Sequence, residues 1–178
     1  MDRVKNALQS CGKLNRLKSL WRDGHTALGA IATIPSVQIV QIMGRAGLDW
    51  ILIDLEHGAI DAGAASEMIA ATSGTPSRAV SPRCSGDALA CKTASRHRGT
   101  TTCKAAESAV RAVRYPPAGE RFWGPFYAAP RWGVSLREYL DCPDGEVLAI
   151  GTNEHIDAVK SVGEIAHTPA RSPLHCTG

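Results

Sequence analysis

Apolar positions between residues 25 and 72 switch repeatedly between a strand pattern and a helix pattern. Thr26 to Thr33 is small and apolar and reads as a first strand. Pro35 then suits the first turn of a helix whose apolar positions are Val37, Ile39, Val40, Ile42 and Met43, with Gly44 and Gly47 near its end. The unbroken apolar run Trp50 to Ile53 predicts a strand over 49–54 covered on both faces, the habit of a parallel sheet. Asp61 predicts a capped helix reaching about residue 72, with Met68 and Ile69 facing inward. This βαβα rhythm implies parallel strands joined by crossover helices. A polar leading helix over 13–22 precedes it.

The rhythm then fails. Residues 73–104 show neither a helical nor a two-residue apolar period, and a long stretch without pattern is foreign to a compact domain. Pattern returns as a helix from Ala105 to Val113, ending before Tyr115-Pro116-Pro117, then as a short buried strand from Val147 to Ile150 and an amphipathic helix over 155–166. The expected division is a polar helical lead at 1–24, an α/β body at 25–166 with a scrambled segment at 77–104, and an irregular tail at 167–178 that holds Pro169 and Pro173.

Candidate chemistry gathers where the second strand ends, at Asp54-Leu55-Glu56-His57-Gly58. α/β folds place their reactive groups at the carboxyl ends of parallel strands. If the strand stays regular that far, Asp54 and Glu56 share one face while Leu55 and His57 share the other. The plain alternative is that Asp54 caps the next helix and His57 is an ordinary loop histidine.

Composition narrows the field. The 178 residues are enough for one sizeable core, yet short of the roughly 250 typical of a complete eight-stranded α/β barrel. A net charge of +3 is too small to imply nucleic acid or an anionic membrane as partner. No stretch approaches the ~20 apolar residues of a membrane span, and Met1 to Leu20 is basic without an apolar signal core, so a cytoplasmic location is the default expectation. The six cysteines form no Cys-x-x-Cys pair and read as free thiols.

Three blocks resemble the HpcH/HpaI aldolase family, the metal-dependent class II pyruvate aldolases. The first runs from Ala27-Leu28-Gly29 through Pro35-Ser36 and Gly47-Leu48-Asp49-Trp50 to Asp54-Leu55-Glu56-His57-Gly58. The second is Arg111-Ala112-Val113-Arg114-Tyr115-Pro116-Pro117-Ala118-Gly119-Glu120-Arg121. The third is Asn153-Glu154-His155-Ile156-Asp157-Ala158-Val159 followed by Val162-Gly163-Glu164-Ile165. The resemblance implies an α/β fold, an incomplete (β/α)8 TIM-barrel-like body of the phosphoenolpyruvate/pyruvate-binding type. It also implies a carbon–carbon lyase that reversibly cleaves 4-hydroxy-2-oxo acids to pyruvate and an aldehyde. Implied partners are the small-molecule oxo acid and the aldehyde, and a family-like homo-oligomer of the folded chain. A protein like the citryl- and malyl-CoA lyases, a related branch of the same superfamily, is the weaker alternative because the aldolase-type Glu-His-Gly motif is present.

By the same resemblance, His57 matches the histidine that moves protons, a task suited to the side chain that ordinarily titrates between pH 5 and 8. Asp54 matches the acid that orients it. Arg83 falls nearest the arginine that stabilises an oxyanion, although Pro82 argues against a central strand there, and a solvent-exposed loop arginine is the alternative. Glu154 matches a ligand of the divalent metal, Mg²⁺ or Mn²⁺ with Co²⁺ as a third candidate, because a hard carboxylate oxygen suits such ions. The alternative for Glu154 is an acid favoured at a helix N-terminus. His155 reads as a surface residue on the helix. Trp123, Phe126, Tyr127 and Trp132 either bury an interface or pack over the barrel end.

Departures from the family pattern bear on activity. Gly151-Thr152-Asn153 stands where the family has glutamine-isoleucine before the glutamate. A second metal carboxylate belongs just beyond Gly178 by the resemblance, which implies a weak metal site. A one-nucleotide change of frame over Val80 to Thr100 permits FRRVALAMPWLAKPRLDIGA, and over His167 to Gly178 it permits IPRLDLLFIAPG. Both are similar to family strands, so a frame-disrupted, truncated member is the expectation. A catalytically inactive fragment therefore stands beside the active aldolase as a reading.

Overall fold

The computed structural model describes residues 15–81, 90–92, 102–121, 124, 126–132, 134–141, 146–152, 155–167 and 175–177. Its centre is a six-stranded sheet in the order β1 (Gly29–Ala32), β2 (Trp50–Ile53), β3 (Arg78–Ser81), β4 (Ala90–Lys92), β5 (Leu148–Thr152) and β6 (His175–Thr177). All five pairings are parallel. Consecutive parallel strands with returning helices are the wall of a partial (β/α)8 barrel.

The described helices are α1 (Arg16–Arg22), α2 (Val37–Arg45), α3 (Ala62–Ala71), α4 (Cys103–Ala112), α5 (Ala128–Trp132), α6 (Leu136–Asp141), α7 (Ile156–Lys160) and α8 (Val162–Ala166). Several begin where a short polar side chain accepts an otherwise unbonded amide. Ser36 takes the N–H of Ile39 at 3.3 Å, Asp61 that of Ala64 at 2.8 Å, and Thr102 that of Ala105 at 3.2 Å. The α2 start differs from expectation: Ser36 is the cap, so Pro35 lies before the helix rather than inside its first turn. The helix expected over 155–166 is two short ones that meet at Ser161.

Within the segments 77–104 and 167–178, expected to be irregular, the described residues include β3, β4 and β6, which pair in register with their neighbours, while 82–89, 93–101, 168–174 and 178 lie outside the described residues. Backbone groups alone make those bonds, and strands of three or four residues are too short to leave a periodic signal. Pro82 is compatible with β3 because the strand stops at Ser81, and the residue before a proline favours the extended conformation. Such pairing is the outcome the frame-shift expectation did not include.

Alternation along β2 separates two apolar layers. Ile51 and Ile53 face the helices and join Ala32, Val40, Met68 and Ile69 in one buried cluster. Trp50 and Leu52 face the other way, toward Leu17 of α1, Leu148 and Ile150. A third cluster packs α4, α7 and α8 on the outer side of β5 through Ala106, Val110, Ala149, Ala158 and Ile165. Helix α1 thus covers the inner face near the amino ends of the strands. Arg16 pairs with Asp49 at 3.0 Å just before β2, and Asn15 binds Glu146 just before β5.

Candidate active site

The carboxyl end of β2 carries the expected pair. The strand stops at Ile53, and Asp54 still donates its N–H to Ala32 C=O at 3.0 Å, the last rung toward β1. Asp54 is buried, 9% exposed, and its Oδ1 accepts the N–H of Glu56 at 2.9 Å and of His57 at 3.1 Å. These bonds turn the chain, so the strand alternation expected for Leu55, Glu56 and His57 does not continue. Both Glu56 and His57 are exposed on the rim.

Gly58 closes the turn. A Cβ there would lie 2.3 Å from Asp54 O and 2.9 Å from Thr33 O, both backbone atoms. Only a residue without a side chain fits where the loop crosses the ends of β1 and β2. In the sequence alone this glycine is one member of a motif, and its position directly after the histidine is the signal that marks it.

Arg83 and Glu154 lie outside the described residues. Along the chain Arg83 comes shortly after β3 and Glu154 shortly after β5, whose carboxyl ends share the edge that bears Asp54. Among the described residues, no group of three His, Cys, Asp or Glu side chains could hold a metal ion. His155 is exposed, and its Nδ1 accepts the N–H of Asp157 at 3.2 Å, capping α7.

The shifted ionisable groups lie elsewhere. Burial lowers Lys18 to about 8, against the attraction of Glu146 and with repulsion from Arg114 and Arg22. Burial also raises Glu146, opposed by the N–H of Asn15 and by Lys18 and Arg22. Both belong to the amino-end edge, opposite His57. The loop after α4 returns to that edge too. There Arg121 lies over the Tyr115 ring at 4.7 Å and donates to the buried Tyr139 hydroxyl at 3.3 Å. Burial and the bond to Tyr115 push the Tyr139 phenol upward. Of the aromatic group noted in the sequence, Phe126 and Tyr127 are exposed, and Trp123 lies outside the described residues.

No family model matches the chain. A hydroxypyruvate/pyruvate aldolase of Pseudomonas aeruginosa is 30% identical over 161 residues, which is 86% of this chain and 60% of that protein. A 4-hydroxy-2-oxovalerate aldolase of Novosphingobium aromaticivorans is 31% identical over 161 residues, 86% of this chain and 61% of that protein. The crystal structure of an HpcH/HpaI aldolase/citrate lyase family protein from Burkholderia cenocepacia J2315 superimposes with a TM-score of 0.75 and 27% identity. The match covers 88% of this chain and 66% of that one. By sequence and by fold the chain is similar to aldolases of the HpcH/HpaI type. The chain spans about 60% of the length of the curated relatives it matches. Among its described residues, no helix is long and apolar enough to cross a membrane.

Proposed function

We propose that the chain is a carbon–carbon lyase of the aldolase type, which reversibly cleaves a 4-hydroxy-2-oxo acid to pyruvate and an aldehyde. One observation carries this reading: an exposed histidine is held in a fixed turn at the carboxyl rim of a parallel sheet, in the Glu-His-Gly stretch that resembles the family's. In cleavage, His57 takes the proton of the 4-hydroxyl, the carbon–carbon bond breaks toward the oxo acid, and the resulting enolate regains a proton at its terminal carbon. Asp54 keeps the histidine loop in place. Arg83 is assigned to the developing oxyanion.

A divalent ion belongs to the same reading, with Glu154 as its carboxylate ligand. The described residues do not by themselves make a metal site, because one oxygen of Asp54 is committed to two amides and no triple of ligands forms among them. Gly151-Thr152-Asn153, where the family pattern has glutamine-isoleucine before the glutamate, favours a second reading, a catalytically inactive protein of this lineage.

The test is pyruvate release from a 4-hydroxy-2-oxo acid with Mg²⁺ or Mn²⁺ added, for the parent chain, His57→Ala and Glu154→Ala. The aldolase reading expects turnover in the parent, its loss in His57→Ala, and loss of metal dependence in Glu154→Ala. A parent chain inert with either ion supports the second reading. Turnover that survives in His57→Ala overturns the role of the histidine.

A further inference from the structure

We infer that the open edge of β1 docks a second copy of this chain, strand against strand and antiparallel, about a two-fold axis at Ile31. Leu28 and Ala32 give their carbonyls to the β2 side, accepting from Trp50 N–H at 3.4 Å and Asp54 N–H at 3.0 Å. Backbone groups alternate sides along a strand, so Gly29 and Ile31 turn their N–H and C=O groups away from β2. Among the described residues no strand lies beyond β1 on that side. The same strip is apolar and open: Leu28 is 65% exposed, Ile31 55% and Ile34 58%.

The devices that keep a strand edge unpaired, charged side chains and proline above all, are missing here. No charged residue occurs between Thr26 and Met43, and Pro35 lies beyond the strand. Spacing selects the occupant. Leu28 and Ile34 flank β1, each three residues from Ile31. A two-fold axis at Ile31 sets that residue against its own copy, and Leu28 of each chain against Ile34 of the other. The members of each pair fall on the same face, because side chains alternate along both strands. The three exposed apolar residues then cover one another, and the two Ile31 residues exchange both backbone bonds. An unrelated partner strand requires no such symmetry about one residue. A contact between β1 and β6 of different copies is head-to-tail and leaves one edge of each kind open, whereas β1 on β1 closes with two copies.

Sedimentation of the full chain over about a hundredfold dilution tests this. An edge contact is smaller than the ~1,600 Å² of a standard stable interface, so the parent should pass from dimer to monomer in the micromolar range. Ile31→Lys and Ile31→Glu each put like charges directly opposite at the axis and should weaken the dimer at least about tenfold. Mixed in equal amounts, the two variants should associate within about threefold of the parent, since only a residue on the axis meets itself. Leu28→Lys, at a more exposed position before the strand, should weaken the dimer at least about threefold and serves should an Ile31 variant fail to fold. Hydrogen exchange adds an independent readout: the Ile31 amide should be protected in concentrated parent and lose at least about tenfold of that protection on dilution, while Ala30, facing β2, stays unchanged. A parent that is monomeric throughout would overturn the inference. So would a dimer indifferent to charge at Ile31, or a Lys–Glu mixture that stays monomeric. A monomer whose Ile31 amide is protected at every dilution has the edge covered by its own chain, which also overturns it.

Discussion

Asn15→Ala removes the N-cap of α1 and a side-chain bond that fastens the helix to the residue before β5. Asn15 is fully buried. Its Oδ1 accepts the Leu17 N–H at 3.1 Å, and its Nδ2 donates to the Glu146 carbonyl at 2.7 Å. Its own N–H donates to the Glu146 carboxylate at 2.6 Å, a bond that alanine can keep. Loss of the cap costs about 1 kcal/mol. Loss of the buried donor leaves the Glu146 carbonyl unsatisfied, for about 1–3 kcal/mol more. The expected total is about 2–4 kcal/mol, a large share of the 5–15 kcal/mol typical of a folded domain. Asn15→Ser keeps an oxygen for the cap and loses only the second bond, so it should fall about halfway. Equilibrium urea unfolding measures both variants. With a slope of about 2 kcal/mol/M, the midpoint of Asn15→Ala should drop by about 1–2 M. An alanine variant within about 0.5 kcal/mol of the parent would refute the reasoning, and so would a serine variant as damaging as alanine.

Lys18 gives a pH dependence. Its folded value of about 8 lies below the ordinary 10.5, so the unfolded chain holds the extra proton between those values and stability rises with pH across that window. Because the amine is only partly buried, the gain should be about 1 kcal/mol, and urea midpoints of the parent and Lys18→Met at pH 7.5 and 10 should show it in the parent alone. Gly29→Ala should cost about 1–3 kcal/mol, since its Cβ would fall 2.0 Å from the Trp50 ring; combined with Trp50→Ala, the two costs should be less than additive in thermal unfolding. Leu17→Ala, which opens a hole against Leu148, should cost about 2–5 kcal/mol by the same measurement.

The first two βα units were legible because Trp50 to Ile53 is covered on both faces and Asp61 offers a carboxylate at the start of an alanine-rich helix. β3, β4 and β6 were not, because parallel pairing is made by the backbone and their few residues carry no period. The break at Ser161 was hidden because apolar spacing continues across it into Ile165. At the site, the sequence pattern located Asp54 and His57 at the end of a buried strand. It could not foresee that Asp54 would collect two amides and end the alternation, since that depends on the loop folding back over Thr33. The Asn15–Glu146 clamp left no local trace, its partners being 131 residues apart.

That separation also orders events during synthesis. Leu17 leaves the ribosome well before Leu148, the residue it is buried against. At 5–20 residues per second, a gap of 131 residues corresponds to roughly 7–26 s. For that interval α1 has Trp50 and Leu52 to lean on but neither Leu148 nor Glu146. Helix α1 therefore finds its final place only once β5 has been made, and until then the side of Leu17 that Leu148 will cover stays open.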